Sequence, residues 1–329
     1  MLKTGKVPES VLKRSIIKQI RTKRDEIIIG AGVGEDCAAI ELADDEIFVT
    51  STDPITGTSH DIGALAVHVT ANDIASSGAE VIGIMLSVLL PEGTEENELK
   101  TIMQQAEEVC ARLNIQTVGG HTEVTPVVNQ TVITATGIGK VKKDRLVTTS
   151  SARPGDDVVV TKWIGLEGTS IIVNEKEEQL KKRFSSSFIE TAKGFSGYLS
   201  VVEDARLAVS AGVSAMHDIT EGGIFGALWE VAEASGCGLD ISLCDIPVRQ
   251  ETVEICEEFR INPYMLISSG SMLITAPNGS DVVRCLKSSG INAAVIGKVT
   301  KGNDRIIVNG DEKRFLEPPG PDELYKIYR

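Results

Sequence analysis

Residues 81–90, VIGIMLSVLL, form the longest apolar run of this 329-residue chain and set the frame for what surrounds it. The run is about half the roughly 20 residues that a membrane-spanning helix needs. Pro91-Glu92-Gly93 bounds it, so it reads as a buried strand. Residues 61–78 before it read as a helix. After it, Thr94 caps an amphipathic helix running to Leu113, with acids in the first turn as the helix dipole prefers. Strands at 116–119 and 131–141 complete a first α/β unit.

On the N-terminal side the pattern predicts a short helix over 9–20, a Gly-rich stretch at 30–34, and strands at 37–42 and 46–51. The last of these should end at Asp53-Pro54, because proline cannot continue a central ladder. The small, polar segment SSARPGD at 150–156 reads as a domain join. Beyond it, strands at 158–161 and 214–217 and helices at 168–174, 186–193, 199–211 and 224–234 make a second α/β unit, closed by two further βα pieces. The length by itself predicts two domains, here 1–150 and 151–329.

A net charge of −14 argues against a general nucleic-acid binder, since phosphate backbones need basic surface. It does not argue against nucleotides, because a small polyphosphate can arrive as its magnesium complex and be met by carboxylates. The start of the sequence carries no apolar leader and no run is long enough for a membrane span, so a cytoplasmic protein is expected. The six cysteines form no CxxC, and most sit among apolar residues, as reduced core thiols do.

Five places carry candidate chemistry. GAGVGED at 30–36 looks like a dinucleotide fingerprint, but a strand pattern, not a helix, follows it, so that reading fails; no GxxxxGK[ST] is present either. Asp36 at one strand start and Asp53 at another strand end would face a sheet rim, where α/β folds bind ligands; each can equally be a solvated turn acid. Asp73 follows Ile62 by three helical turns and so falls on the apolar stripe of Ile62, Leu65, Ala66 and Val69. There it needs a partner, whether a cation, a buried salt bridge or a capping role, and Asn72 beside it can both donate and accept. Gly119-Gly120-His121-Thr122 at a strand exit could admit an anion to the backbone, with His121 as a proton relay, phosphate contact, metal ligand or merely solvated side chain. Asp218 precedes Gly222-Gly223 at a helix start, where the dipole favours phosphate; an N-cap role is the alternative.

In order, GEDCAAI, STD, LAVHVTANDIASSGA, GGHTEV, ATGIGKV, SSARPGD and HDITEGG resemble the PurM-like superfamily. That superfamily includes aminoimidazole ribonucleotide synthetase, selenophosphate synthetase, thiamine-monophosphate kinase and the hydrogenase-maturation carbamoyl dehydratase. ALWEVAEASGCGLDI and INPYMLISSGSMLIT look closest to the last branch. The resemblance implies two α/β domains, the first for ATP binding and dimerisation, and a homodimer whose N-terminal sheets pair into a barrel. It implies ATP and Mg2+, with Asp36, Asp53, Asp73 and Asp218 on the metal, and Gly34, Asn72, Gly119, Gly120 and Thr122 against nucleotide. His121 and Asp218 are the catalytic candidates, acting on a small-molecule substrate, with a protein partner compatible.

Three departures bear on activity. His121 stands where several relatives carry an acid after the Gly-Gly. No cysteine precedes Cys37, unlike selenophosphate synthetases. The sequence ends LYKIYR, where the hydrogenase-maturation dehydratase ends in the cysteine that carries its carbamoyl group, so an active dehydratase is not expected. The leading expectation is ATP-dependent phosphorylation or activation of an oxygen. The rivals are a thiamine-monophosphate-kinase-like phosphotransferase and a nucleotide-binding partner protein without turnover.

Overall fold

The computed structural model describes residues 5–6, 8–32, 38–55 and 61–328. Gly34, Asp36 and Cys37 lie outside them. The chain divides into two units: residues up to Ala75 together with Ala79–Leu146, and Ser76–Gly78 together with Val147 onward. Each contains helices and a mixed sheet, which makes a two-domain α/β protein.

The first unit contains strands β1 (Gly5–Lys6), β2 (Ile27–Ile29), β3 (Ala39–Ile40) and β4 (Glu46–Ile55) before helix α1 (Ile62–Ser76). Then come β5 (Glu80–Leu90), α2 (Glu96–Leu113), β6 (Gln116–Val124) and β7 (Val132–Lys142). Its sheet order is β1-β6-β5-β7-β4, and β5 and β6 are parallel, with α2 as their crossover. The apolar run is the central strand β5, as its composition demands. Both helices lie on one side. Gly63 of α1 approaches the Ile102 carbonyl of α2, and Gly137 of β7 lies under Thr70 and Ile74 of α1. The other side is partly covered by the β2–β3 hairpin, where Ile27, Ile40 and Leu42 pack on Ile82, Val118 and Ile138.

Three local expectations change. Strand β4 does not stop at Asp53 but runs through Pro54 to Ile55. It is an edge strand in the sheet order, so the missing proline N–H breaks no ladder. Helix α2 is capped by Glu95, whose N–H donates to Glu98 at 3.3 Å, while the Thr94 hydroxyl turns back to the Pro91 carbonyl at 2.7 Å. The helix expected over 9–20 is α-helical only at Glu9–Val11, then π-helical over Leu12–Ile16 and 3-10 over Ile17–Gln19.

The second unit contains β8 (Asp157–Thr161), α3 (Leu166–Glu175), α4 (Ser186–Lys193), α5 (Val202–Ala211), β9 (Ala215–Ile219), α6 (Gly223–Ser235) and β10 (Gly238–Ser242). It continues with α7 (Gln250–Phe259), β11 (Ser271–Ala276), α8 (Gly279–Ser288), β12 (Ala293–Thr300), β13 (Arg305–Asn309) and β14 (Glu312–Phe315). The sheet order is β14-β13-β10-β12-β8-β11-β9. One core packs Ile224, Leu228 and Val231 of α6 on Val158, Val160 and Leu273. A second gathers Ile172, Ile189, Ile255 and Leu266 with Leu324 and Ile327 from the end of the chain. Lys162 is buried against Asp204 at 2.6 Å.

Candidate functional site

Strand alternation places the first acids. Ser51 and Asp53 are two apart on β4, so both side chains leave the same face. Ser51 is in register with Gly137, which lies under α1, so that face is the one the helices cover. From α1, Asp73 reaches down to it: Ser51 Oγ lies 2.5 Å from Asp73 Oδ2 and 3.3 Å from Asp53 Oδ2. A hydroxyl has one proton, so the short contact to Asp73 takes it and Asp53 receives the weaker approach. Two carboxylates converging on one neutral group is an arrangement that a cation completes. Hard oxygen donors of this kind suit magnesium, which is commonly held by one or two carboxylates plus substrate phosphates. Among the described residues no group of three or more metal-ligating side chains is assembled, and Asp36 lies outside them.

Asp73 does not sit on the deepest stripe of α1. The helix is buried on nearly all sides, including Asn72 at 0% exposure, and its less buried residues are Ala64, Val69 and Asp73. Val69 and Asp73 are four apart and share that partly open face. The apolar stripe therefore fails as a guide here, because both a neighbouring helix and the sheet enclose α1.

Gly119-Gly120-His121-Thr122 is not a strand exit. All four residues belong to β6, which continues to Val124. A bulge opposite Ile84 and Met85 shifts the parallel register, so Gly120 pairs with Leu86 at φ +149. A Cβ there would lie 2.1 Å from the Leu86 carbonyl oxygen. The glycine is thus required by strand packing and needs no anion to explain it.

His121 pairs with Ser87, Ser87 with Thr134, and Thr134 with Pro54, whereas Asp53 pairs with Ala135, Leu86 and thence Gly120. His121 and Gly119 therefore project from the face opposite to Asp53 and Asp73. Gly120 and the buried Thr122 share the acids' face. His121 is 48% exposed and its Nε2 meets Glu123 at 3.3 Å. The structure brings Asp53 and Asp73 together and leaves His121 apart from them within the unit.

In the second unit Asp218 is buried on β9, and its Oδ1 lies 3.4 Å from the hydroxyl of Ser76, which groups with this unit. His217 alternates to the other face and binds Glu230 at 2.7 Å. The Gly222-Gly223 helix start is already occupied by the chain itself. The Asp322 carboxylate accepts the Gly222 N–H at 2.7 Å and the Leu324 N–H at 2.8 Å. Gly223, at φ +60, abuts the Tyr264 and Leu266 backbone, where a Cβ would lie 2.7 Å from the Tyr264 oxygen. The dipole at this N-terminus is answered by Asp322, not by a free phosphate cradle.

Beside it, Glu167 at the start of α3 is buried and accepts the Ser269 N–H at 3.2 Å. Burial pushes its carboxyl up to about 7, and Asp322 and Glu221 add to the rise. Burial also raises Asp322, against the backbone N–H groups that favour its charged form. The described cysteines are free: Cys110, Cys237 and Cys256 are buried as expected, Cys285 partly so, and Cys244 is exposed on the short turn at Leu243–Asp245.

Sequence reasoning missed Ser51, Asp322 and Glu167. The alternation of STD held the signal for Ser51. Asp322 acts a hundred residues away from Gly222, so no local pattern could find it.

Two family models match this geometry's sequence: AIR synthase related protein, N-terminal domain, over residues 34–141, and AIR synthase related protein, C-terminal domain, over 153–309. The chain belongs to the AIR synthase related proteins. A protein of Methanocaldococcus jannaschii named for hydrogenase expression/formation is 29% identical over 98% of this chain and 97% of its own length. Carbamoyl dehydratase HypE of Cupriavidus necator is 30% identical over 73% of this chain and 68% of its own. The solved hydrogenase maturation protein HypE in complex with ATP superposes with a TM-score of 0.81 over 98% of each chain at 21% identity, which shows a shared fold. The hydrogenase-maturation resemblance read from the motif order is the one these relatives carry. Among the described residues, no helix is long and apolar enough to cross a membrane.

Proposed function

We propose that this protein is an ATP- and magnesium-dependent enzyme that phosphorylates or activates an oxygen of a small-molecule or carbamoyl-type substrate. The observation that carries the reading is the convergence of Asp53 and Asp73 on one serine hydroxyl, beneath the helix that supplies Asp73. With Asp36 and Asp218, which the family pattern adds, they would hold magnesium on the phosphates. Magnesium would neutralise charge on the transferring phosphoryl group. Asn72, Gly120 and Thr122, with Gly34, are the nucleotide contacts of this reading. The relative solved with ATP supports it.

The reading includes a homodimer. The sheet face opposite the helices exposes Phe48, Met85 and Thr52, with Thr136 half-buried beside Thr52, and a second copy pairing there would cover them. Gly119 and His121 would then lie at that interface, away from the acids of their own chain. A protein partner is compatible with the same reading.

Calorimetric titration of ATP with magnesium tests the proposal on the wild type and on Asp73→Ala. Magnesium-dependent binding that Asp73→Ala abolishes is expected, and a well-folded wild type that binds no ATP sinks the enzymatic reading. ADP release then assigns the acceptor. Release driven by carbamoyl donors fits the leading reading, whereas release driven by thiamine monophosphate fits a kinase. Tight binding without release leaves a nucleotide-binding partner protein.

A further inference from the structure

The chain is acidic overall, with a net charge of −14, yet one part of the first unit gathers cations. The π-helical stretch Leu12–Ile16 packs against α2, and a cavity of about 540 Å³ opens between them. π turns are rare and recur at functional sites. Here the turn presents Arg14 and Ser15, and Lys18 and Arg21 follow on the same wall, while Glu96 and Lys100, one turn apart on α2, form the other.

The charges on these walls do not cancel. Arg14 grips Glu96 with two contacts of 2.5 Å, and the buried Ser15 hydroxyl adds a third at 2.7 Å. Both Glu96 oxygens are engaged, and the Arg14 guanidinium, then Ser15, hold its carboxyl down at about 2, so it stays an anion committed to Arg14. Lys18, Arg21 and Lys100 line the same cavity, are exposed, and make no ion pair among the described residues. Three uncompensated cationic donors around a space of small-molecule size form a polyanion site, whose one carboxylate, Glu96, is committed to Arg14 and whose remaining lining, Gln19 and Gln104, is neutral.

We infer that this cavity binds a small polyanion bearing phosphate groups, of diphosphate size, without a metal ion. Its chemistry is the converse of the Asp53–Asp73 pair, which can meet phosphate only through a cation. The two can therefore be separated by chelation.

Inorganic pyrophosphate, titrated calorimetrically in EDTA at low salt, is the probe. The wild type is expected to bind one pyrophosphate per chain. The double variant Lys18→Glu/Lys100→Glu should lose affinity by roughly tenfold or more, since two charge-assisted contacts become repulsions. Asp73→Ala, which removes the proposed magnesium-ATP site, should bind pyrophosphate as the wild type does, so failure of one idea is not failure of the other. Should the charge reversal disturb folding, Lys18→Gln/Lys100→Gln gives the same comparison. Absence of saturable binding up to about 10 mM, or equal affinity in wild type and variant, overturns the inference.

Discussion

Ser51 donates its hydroxyl to Asp73 at 2.5 Å and holds Asp53 at 3.3 Å, so a single neutral side chain stands between two carboxylates. Ser51→Ala takes away that proton and leaves the acids facing each other. A hydrogen bond to a charged group contributes about 1.5–3 kcal/mol, less where water can reach it, so a loss of roughly 1–2 kcal/mol in urea denaturation with EDTA is expected. Added magnesium should restore more stability to the variant than it adds to the wild type. Equal responses would show that no cation sits between these acids.

The opposite orientation of His121 and Asp53 across the sheet separates their effects. His121→Ala should leave magnesium-ATP affinity within about twofold, a change of under ~0.5 kcal/mol. His121→Glu, beside Glu123, should instead weaken self-association, read by sedimentation velocity as a shift towards monomer. A large loss of ATP affinity in His121→Ala at unchanged association would place the imidazole on the nucleotide after all.

Gly120→Ala tests strand packing free of any ligand. The new methyl would fall 2.1 Å from the Leu86 oxygen at φ +149. Backbone strain plus the parting of β5 from β6 should cost about 3 kcal/mol or more in equilibrium unfolding.

The buried Glu167 makes stability depend on pH with a definite sign. Its carboxyl is raised from 4.5 to about 7, so the folded protein holds this proton while the unfolded chain has released it. Stability from this group is greatest in acid and falls as pH rises from about 4.5 to about 7, by up to ~3 kcal/mol, with a plateau above. Glu167→Gln should flatten this part of a urea-midpoint profile and leave the protein more stable than wild type at pH 8. The raised Asp322 contributes a slope of the same sign in both proteins.

Asp322→Ala strips the acceptor from the Gly222 and Leu324 N–H groups. A loss of about 2–3 kcal/mol is expected from two buried donors left unpaired. Hydrogen exchange should quicken first at the start of α6 and at Glu323–Tyr328. Unchanged protection there would mean that Leu324 and Ile327 in the core, with the Glu323–Asn262 and Tyr325–Glu221 contacts, hold the segment without Asp322.

What the sequence determined by itself was the kind and order of most elements, the family, and which acids stand as candidates. The run at 81–90, the helix carrying Asn72 and Asp73, and the helix at Ser186–Lys193 follow from periodicity and punctuation, which are properties of neighbouring residues. Tertiary structure alone decided which of the candidates meet. A strand side chain's face is fixed by parity and bulges counted through three pairings, and that count put His121 behind the sheet and Asp53 in front of it. Pro54 could stay in β4 because β4 is an edge, and Gly222-Gly223 could not be a free phosphate cradle because Asp322 returns to it from the far end of the chain. Pairing order and long-range closure are set by the whole core at once, and no local stretch of sequence records them.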